Sequence, residues 1–264
     1  MIPALLGCDW GTTRLRAWTM SADGAVVDGR EFELGVSRLA AGEAQARFIE
    51  EIRPALAAQH LPAILCGMIG SNLGWRLAPY VDCPAGAGEL ATKLMAVEAE
   101  GPPVRIVPGL RCHGAFGVAD VMRGEETQLV GWLAADPRRR VGRHLVCHPG
   151  THTKWVVLEE GRVARFQTAM TGEMFAVLLA HSVLASPGKA DAFDEGVRAA
   201  GEGDALLARL FTARGRLVGD GARPETTAAF LSGLLIGSDV ASAPGLLQAP
   251  AVTIHLLGDA DLCR

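Results

Sequence analysis

Apolar runs that end in glycine punctuate this chain. Ala4 to Cys8 is continuous enough to predict a short buried strand, and Arg14 to Met20 alternates as a second. The turn Ala22-Asp23-Gly24 leads into a third strand over Ala25 to Leu34. From Gly42 to Gln59 the period lengthens, with Ala46, Ile49, Ile52, Leu56 and Ala57 at helical spacing. Ala63 to Cys66 reads as a strand ending in glycine, and Val104 to Val107 as another running into Pro108-Gly109. A helix is predicted from about Gly124 to Ala135, with Glu125 and Glu126 in its first turn, where the helix dipole favours negative charge.

The opening meander then returns. Leu145 to Cys147, Lys154 to Leu158 and Arg162 to Thr168 repeat strand, turn, strand, turn, strand. Thr171 to Val240 is predicted to be mostly helical, and Val252 to Leu257 to be a final strand before Gly258-Asp259. Two meanders, each followed by helices, predict an α/β chain of two similar halves, residues 1–136 and 137–264.

Composition narrows the function classes. At 264 residues, 49% hydrophobic and 20% charged, the chain has enough apolar material for a sizeable core and is neither disordered nor a disulfide-stapled miniature. Its net charge of −4 and lack of a basic stripe argue against nucleic acid as a partner. The Arg138-Arg139-Arg140 cluster beside Asp136 reads as a solvated loop. Six scattered cysteines without a C-x-x-C pair fit reduced thiols and a cytoplasmic location. The most apolar windows, Met174 to Leu184 and Ala228 to Ile236, are shorter than a membrane span, so no membrane association is expected. The N-terminus lacks the basic lead and apolar core of a signal peptide.

The chemistry lies in the repeat. Asp9-Trp10-Gly11-Thr12-Thr13-Arg14 aligns with His148-Pro149-Gly150-Thr151-His152-Thr153, each following an apolar strand and leading into another. Such a turn exposes successive backbone N–H groups and a hydroxyl, a concave array suited to phosphate. One Gly-Thr turn alone would be an ordinary hairpin. Two in matching contexts, facing each other across a cleft, would hold a nucleotide triphosphate from both sides. Asp9 would then hold Mg²⁺, which prefers one or two carboxylates with phosphate oxygens and water.

Over nearly its whole length the chain resembles the 2-dehydro-3-deoxygalactonokinase family of the sugar kinase and actin ATPase superfamily. The resemblance rests on DWGTT at 9–13, CGMIGS at 66–71, GW at 74–75, APYVDCPAG at 78–86, IVPGL at 106–110, DVMRGEETQ at 120–128, PGTHTKWV at 149–156, MTGEMF at 170–175, HS at 181–182 and LSGLLIG at 231–237. It implies two ribonuclease-H-like domains flanking a nucleotide cleft, the sugar on the first side and the nucleotide on the second. It also implies ATP-dependent phosphorylation of 2-dehydro-3-deoxy-D-galactonate, a step in galactonate breakdown, at the 6-hydroxyl. The partners are then a small sugar acid and ATP with Mg²⁺, and the oligomeric state is left open, a homodimer included.

Under that resemblance Asp9 organises the metal, Gly11, Thr12 and Thr13 hold the transferring phosphate, and Gly150, Thr151 and Thr153 hold the others. Lys154 adds charge there or points to solvent. The hydroxyl needs a carboxylate to accept its proton, and Asp120, Glu125 and Glu126 are the candidates, with Gly124-Glu125 in the best context. The Glu pair has an alternative role in satisfying the helix dipole. Arg14, Arg16 and Arg123 are candidates for the substrate carboxylate, because guanidinium binds carboxylate bidentately, though each could be a surface arginine. Gly70 and Ser71 belong to the sugar-facing turn, with Trp75 and Tyr80 as walls or core aromatics.

Two positions depart from the family. Asn72-Leu73 stand where a basic residue and Gln are general, which motivates a second reading as a kinase for another sugar or sugar acid. His148 occupies a usually apolar position and is assigned no chemistry. A non-catalytic sugar sensor is a third reading, disfavoured by the intact Asp9 and both phosphate turns. Gly258 belongs to the adenosine side, and the family continues into a further helix beyond it. The chain is therefore expected to be slightly short, with weaker adenine-side packing and ATP affinity as the consequence.

Overall fold

A computed structural model describes every residue except 186–187, 189, 202–204, 250–252 and 264. The chain divides into two compact units. The first comprises Met1–Cys112, Val121–Val141 and Glu160–Val163, and the second comprises His113–Asp120, Gly142–Glu159 and Ala164–Arg264.

In the first unit β1 (Leu5–Trp10), β2 (Leu15–Met20) and β3 (Val26–Phe32) form the antiparallel meander, and β4 (Ala63–Cys66) adds in parallel beside β1. The sequence alternation on β2 becomes burial alternation, with Leu15, Ala17 and Thr19 inward and Arg16 outward. Between β3 and β4 a helical stretch runs through α1 (Glu43–Arg47), a wide π turn at Phe48–Ile52 and α2 (Arg53–Ala55). Its inward row is Ala44, Phe48, Ile52 and Leu56, every fourth residue, while the expected inward Ala46 is exposed. The π turn takes more residues per revolution than an α turn, which keeps that row facing the sheet.

Short elements follow: β5 (Tyr80–Asp82), α3 (Ala87–Thr92), β6 (Met95–Val97), β7 (Val104–Ile106), β8 (Gly109–His113) and β9 (Ala119–Met122). The main sheet has the order β3-β2-β1-β4-β7-β6, and β5-β8-β9 form a small second sheet. The helix α4 (Glu125–Ala135) completes the unit.

The second unit repeats the opening topology with β10 (Arg143–His148), β11 (Thr153–Glu159) and β12 (Arg162–Ala169), the start of the last strand belonging to the first unit. The helices α5 (Thr171–His181), α6 (Phe193–Ala200), α7 (Leu206–Val218) and α8 (Thr227–Leu246) come next. β13 (Ile254–Leu256) then joins β10 in parallel. Its expected start, Val252, lies outside the described residues. The order β12-β11-β10-β13 matches β3-β2-β1-β4 of the first sheet.

The helix at Pro224–Leu246 is longer than its most apolar window suggested, and by length and composition it could cross a membrane. Its Phe230, Leu231, Leu234 and Leu235 instead form a core cluster with Ala192, Ala200 and Leu210, which is the ordinary fate of such a helix in a packed α/β unit.

Candidate active site

Asp9 is the penultimate residue of β1, where the strand opens into the Gly-Thr turn. Its Cα neighbours are Arg16 on β2 and Cys66 on β4, the latter leading directly into the Gly67–Gly70 turn. Gly67 has a left-handed φ of 87°, and a Cβ there would stand 2.8 Å from the Trp10 carbonyl oxygen and 3.1 Å from Asp9 Oδ1. Gly124, also with positive φ, packs its own backbone against Gly67, since a Cβ on it would lie 3.3 Å from Gly67 Cα. Bare backbone at both positions thus brings the head of α4 up to Asp9.

The electrostatics record that approach. Burial raises the Asp9 carboxyl above its ordinary value, Arg16 pulls it back down, and the Glu125 charge adds to the rise. Glu125 accepts a hydrogen bond from the Arg123 backbone N–H at 3.1 Å and is half-buried. Glu126 is fully enclosed: the Gly124 N–H donates to it at 2.6 Å and the Thr127 hydroxyl at 3.0 Å. Burial, with Glu125 adding, pushes its carboxyl up to about 8. Asp120 belongs to the second unit, where its two oxygens accept from the Thr168 N–H and hydroxyl, both at 2.6 Å. Of the three carboxylates, only Glu125 is both partly accessible and electrostatically coupled to Asp9.

The first turn is braced from behind. Gly11 N–H donates to the Arg14 carbonyl, while the loop at Gly35–Ser37 donates to the carbonyls of Gly11, Thr12 and Thr13. With their carbonyls tied down, Thr12 and Thr13 stand exposed beside a cavity of about 170 Å³ that Asp9, Gly11, Thr13, Arg14 and Arg16 line. Arg14 pairs with Glu31 at 2.9 Å and Arg16 approaches the same carboxylate at 3.6 Å.

Arg123 lies elsewhere in this unit. Its guanidinium stacks 4.5 Å from the Tyr80 ring centroid and packs on Gly70, and Nη2 donates to the Ala78 carbonyl. Its Nε and Nη1 have no hydrogen-bond partner among the described residues. Ser71 closes its own turn, donating to the Met68 carbonyl and accepting from Leu73 N–H. Trp75 packs on Phe48 at 5.7 Å, against the core of the first unit.

In the second unit the Gly150 turn is backed by a helix. Glu173 N–H donates to the Thr151 carbonyl, and a Cβ on Gly172 would lie 2.5 Å from the Gly150 oxygen. The N-terminus of α5 therefore presses on the turn and brings its positive dipole end there. Lys154 is buried rather than solvent-facing, and its Cα partner is His148. Thr153 is buried too and lines an apolar cavity of about 610 Å³ with Pro149, Trp155, Ile236 and Asp239. Gly258 sits against Pro149, and Leu257 N–H donates to the Cys147 carbonyl.

Asp239 carries no motif in the sequence. It accepts from Trp155 Nε1 at 2.8 Å and from the Thr171 hydroxyl at 2.6 Å, which fixes the first residue of α5, and burial raises its carboxyl. The available signal was an acid standing alone among uncharged residues from Thr227 to Leu246.

A sequence profile of the family described as 2-keto-3-deoxy-galactonokinase matches residues 9–264. The chain belongs to that family. It is 38% identical over 247 residues to the 2-dehydro-3-deoxygalactonokinase of Escherichia coli strain K12, covering 92% of this chain and 81% of that one. A crystal structure of a candidate 2-dehydro-3-deoxygalactonokinase from Sinorhizobium meliloti superposes with a TM-score of 0.84 at 36% identity, over 98% of this chain and 87% of that one. The fold is accordingly shared with that Sinorhizobium meliloti protein, and the family places the chain among phosphotransferases.

Proposed function

We propose that this chain transfers the γ-phosphoryl group of ATP to the 6-hydroxyl of 2-dehydro-3-deoxy-D-galactonate in the cytoplasm. The observation that carries this reading is the convergence of Asp9 and Glu125 at the glycine-only contact between Gly67 and Gly124. Phosphoryl transfer needs positioning, charge neutralisation and a proton acceptor, with little covalent chemistry from the protein.

Glu125 is the proton acceptor on this reading. It is the accessible member of the three carboxylates, whereas the Asp120 oxygens are held by Thr168 and Glu126 is enclosed. Asp9 suits Mg²⁺: a half-buried carboxylate beside a polar cavity and an exposed Gly-Thr turn supplies the single protein oxygen the ion needs alongside phosphate and water. Bound there, Mg²⁺ neutralises phosphate charge. Gly11, Thr12 and Thr13 hold the transferring phosphate in the first unit. Gly150, Thr151, Thr153 and Lys154 hold the other phosphates in the second, assisted by the α5 N-terminus. Gly258 and the cavity beside Pro149 receive the adenosine.

Arg123 is the arginine chosen for the substrate carboxylate, because two of its donors are unspent. Arg16, across from Asp9, serves the phosphate side, and Arg14 is left to its exposed pairing with Glu31. Gly70 and Tyr80 shape the sugar side through their contacts with Arg123, and Ser71 through the turn it closes. Residues 1–136 are then mainly the sugar side and 137–264 the nucleotide side.

Purified protein with Mg-ATP should release ADP only when 2-dehydro-3-deoxy-D-galactonate is present, and absence of turnover across a panel of 2-keto-3-deoxy sugar acids would overturn the reading. The exposed Asn72-Leu73 pair supports a second reading, a kinase for a different sugar acid. Faster turnover of the gluconate-derived epimer would favour it.

A further inference from the structure

We propose that Glu126 is a positioning residue: its buried carboxyl clamps the Gly124 amide at the head of α4 and thereby aims Glu125, the neighbour that takes the proton. The inference rests on the reading of Glu125 as the base and explains why two adjacent glutamates occupy one helix start.

Consecutive helical residues point about 100° apart, so the pair cannot share a task on one face. Glu125 is partly open, and Glu126 is 1% exposed. Both Glu126 oxygens are used: Oε2 accepts from Gly124 N–H and Oε1 is bonded to the Thr127 hydroxyl, while the Thr127 side chain in turn reaches Cys66 at the end of β4. The chain of contacts ties the α4 start to the strand beside Asp9. Gly124 needs this anchor because it has φ 112° and supplies no side-chain cap of its own.

The titratable groups around the clamp are Glu125 on the same helix, Cys66 on β4 and Asp9 on β1. Among the described residues no lysine or arginine bonds the Glu126 carboxyl. An enclosed acid in such company keeps its proton, and burial does push it up to about 8. Oε2 accepts from the Gly124 N–H and Oε1 accepts from the Thr127 hydroxyl. A glutamine keeps an acceptor oxygen for the Gly124 N–H and turns its amide N–H to the Thr127 oxygen, whose hydroxyl rotates to suit.

The test compares Glu125→Gln, Glu126→Gln and Glu126→Ala in the full chain, with Mg-ATP and the sugar acid. Glu126→Gln should keep kcat within about threefold, while Glu125→Gln should lose about 10³-fold, in the range for a lost general base. Glu126→Ala should lose at least about tenfold in kcat with the KM for ATP little changed, the signature of a misaimed base rather than a lost nucleotide contact. A Glu126→Gln loss as deep as that of Glu125→Gln would overturn the assignment, since a residue that only positions is rescued by its isostere. Hydrogen exchange at the Gly124 amide reads the clamp independently of activity: slow in the wild type and Glu126→Gln, fast in Glu126→Ala. If the wild type turns over no sugar acid, the kinase reading has failed, and equal exchange in all three proteins would still refute the clamp.

Discussion

The two Gly-Thr hairpins begin alike and are supported by opposite means. Gly11 to Arg14 is braced through its carbonyls by an irregular loop, with an acid, Asp9, on the approaching strand and two more at the head of α4. Gly150 to Thr153 is braced by the N-terminus of α5, with His148 in the matching place and buried Lys154 across from it. The pairing also slips by one residue: Asp9 faces Arg16, seven positions on, whereas His148 faces Lys154, six positions on. A shift of one reverses the face each β11 side chain takes relative to the turn. On the proposed roles, the acids around the first turn would hold a cation and take a proton, while the lysine and the helix N-terminus at the second would suit anions.

The sharpest way to break this contrast is at the matched strand ends. Asp9→Asn should reduce kcat by at least about 10³-fold, because developing phosphate charge would lose its neutralising ion, while His148→Ala should cost less than about threefold. Comparable losses in steady-state assays would mean the turns share one role.

A smaller effect separates the two braces. A methyl at Gly172 would press on the Gly150 oxygen, and one at Gly35 would stand 2.2 Å from the Thr12 oxygen. Each alanine variant should lose about 1–3 kcal/mol of stability, as overpacking does. Gly172→Ala should raise the KM for ATP about tenfold, whereas Gly35→Ala should act mainly on kcat; identical kinetic patterns would erase the division.

The smallest expected effect tests the acid cluster of the first unit by pH. Glu126 has a folded value near 8 against an ordinary 4.5. Between those values the folded chain holds a proton that the unfolded chain has released, so this group's contribution to stability falls as pH rises from about 4.5 to 8 and then levels. The melting temperature of Glu126→Gln relative to wild type should therefore climb through that window, and a flat difference would remove Glu126 from the cluster.

Much of this was legible from residues. The meander strands, α4 and the repeat follow from apolar runs and glycine stops. The strands at Tyr80–Asp82, Gly109–His113 and Ala119–Met122 leave no mark on the pattern, because three to five residues carry no usable period. The burial of Lys154 was equally hidden, since Thr153 to Leu158 is buried without alternation. Burial and partners distinguish Asp120, Glu125 and Glu126 from one another, and no spacing encodes either. Nor could a cut at 136 reveal that His113–Asp120 packs with the second unit and Glu160–Val163 with the first.

The backbone contact between Gly67 and Gly124 has a consequence for altering this protein. A side chain at Gly67 would press on the Trp10 carbonyl beside Asp9, and one at Gly124 would crowd Gly67 from a positive-φ backbone, so both positions are costly to vary. Asn72 and Leu73, by contrast, lie exposed a few residues on, with no packing to defend. A randomised library aimed at a new acceptor sugar should therefore be written at 72 and 73 and leave 67 and 124 untouched.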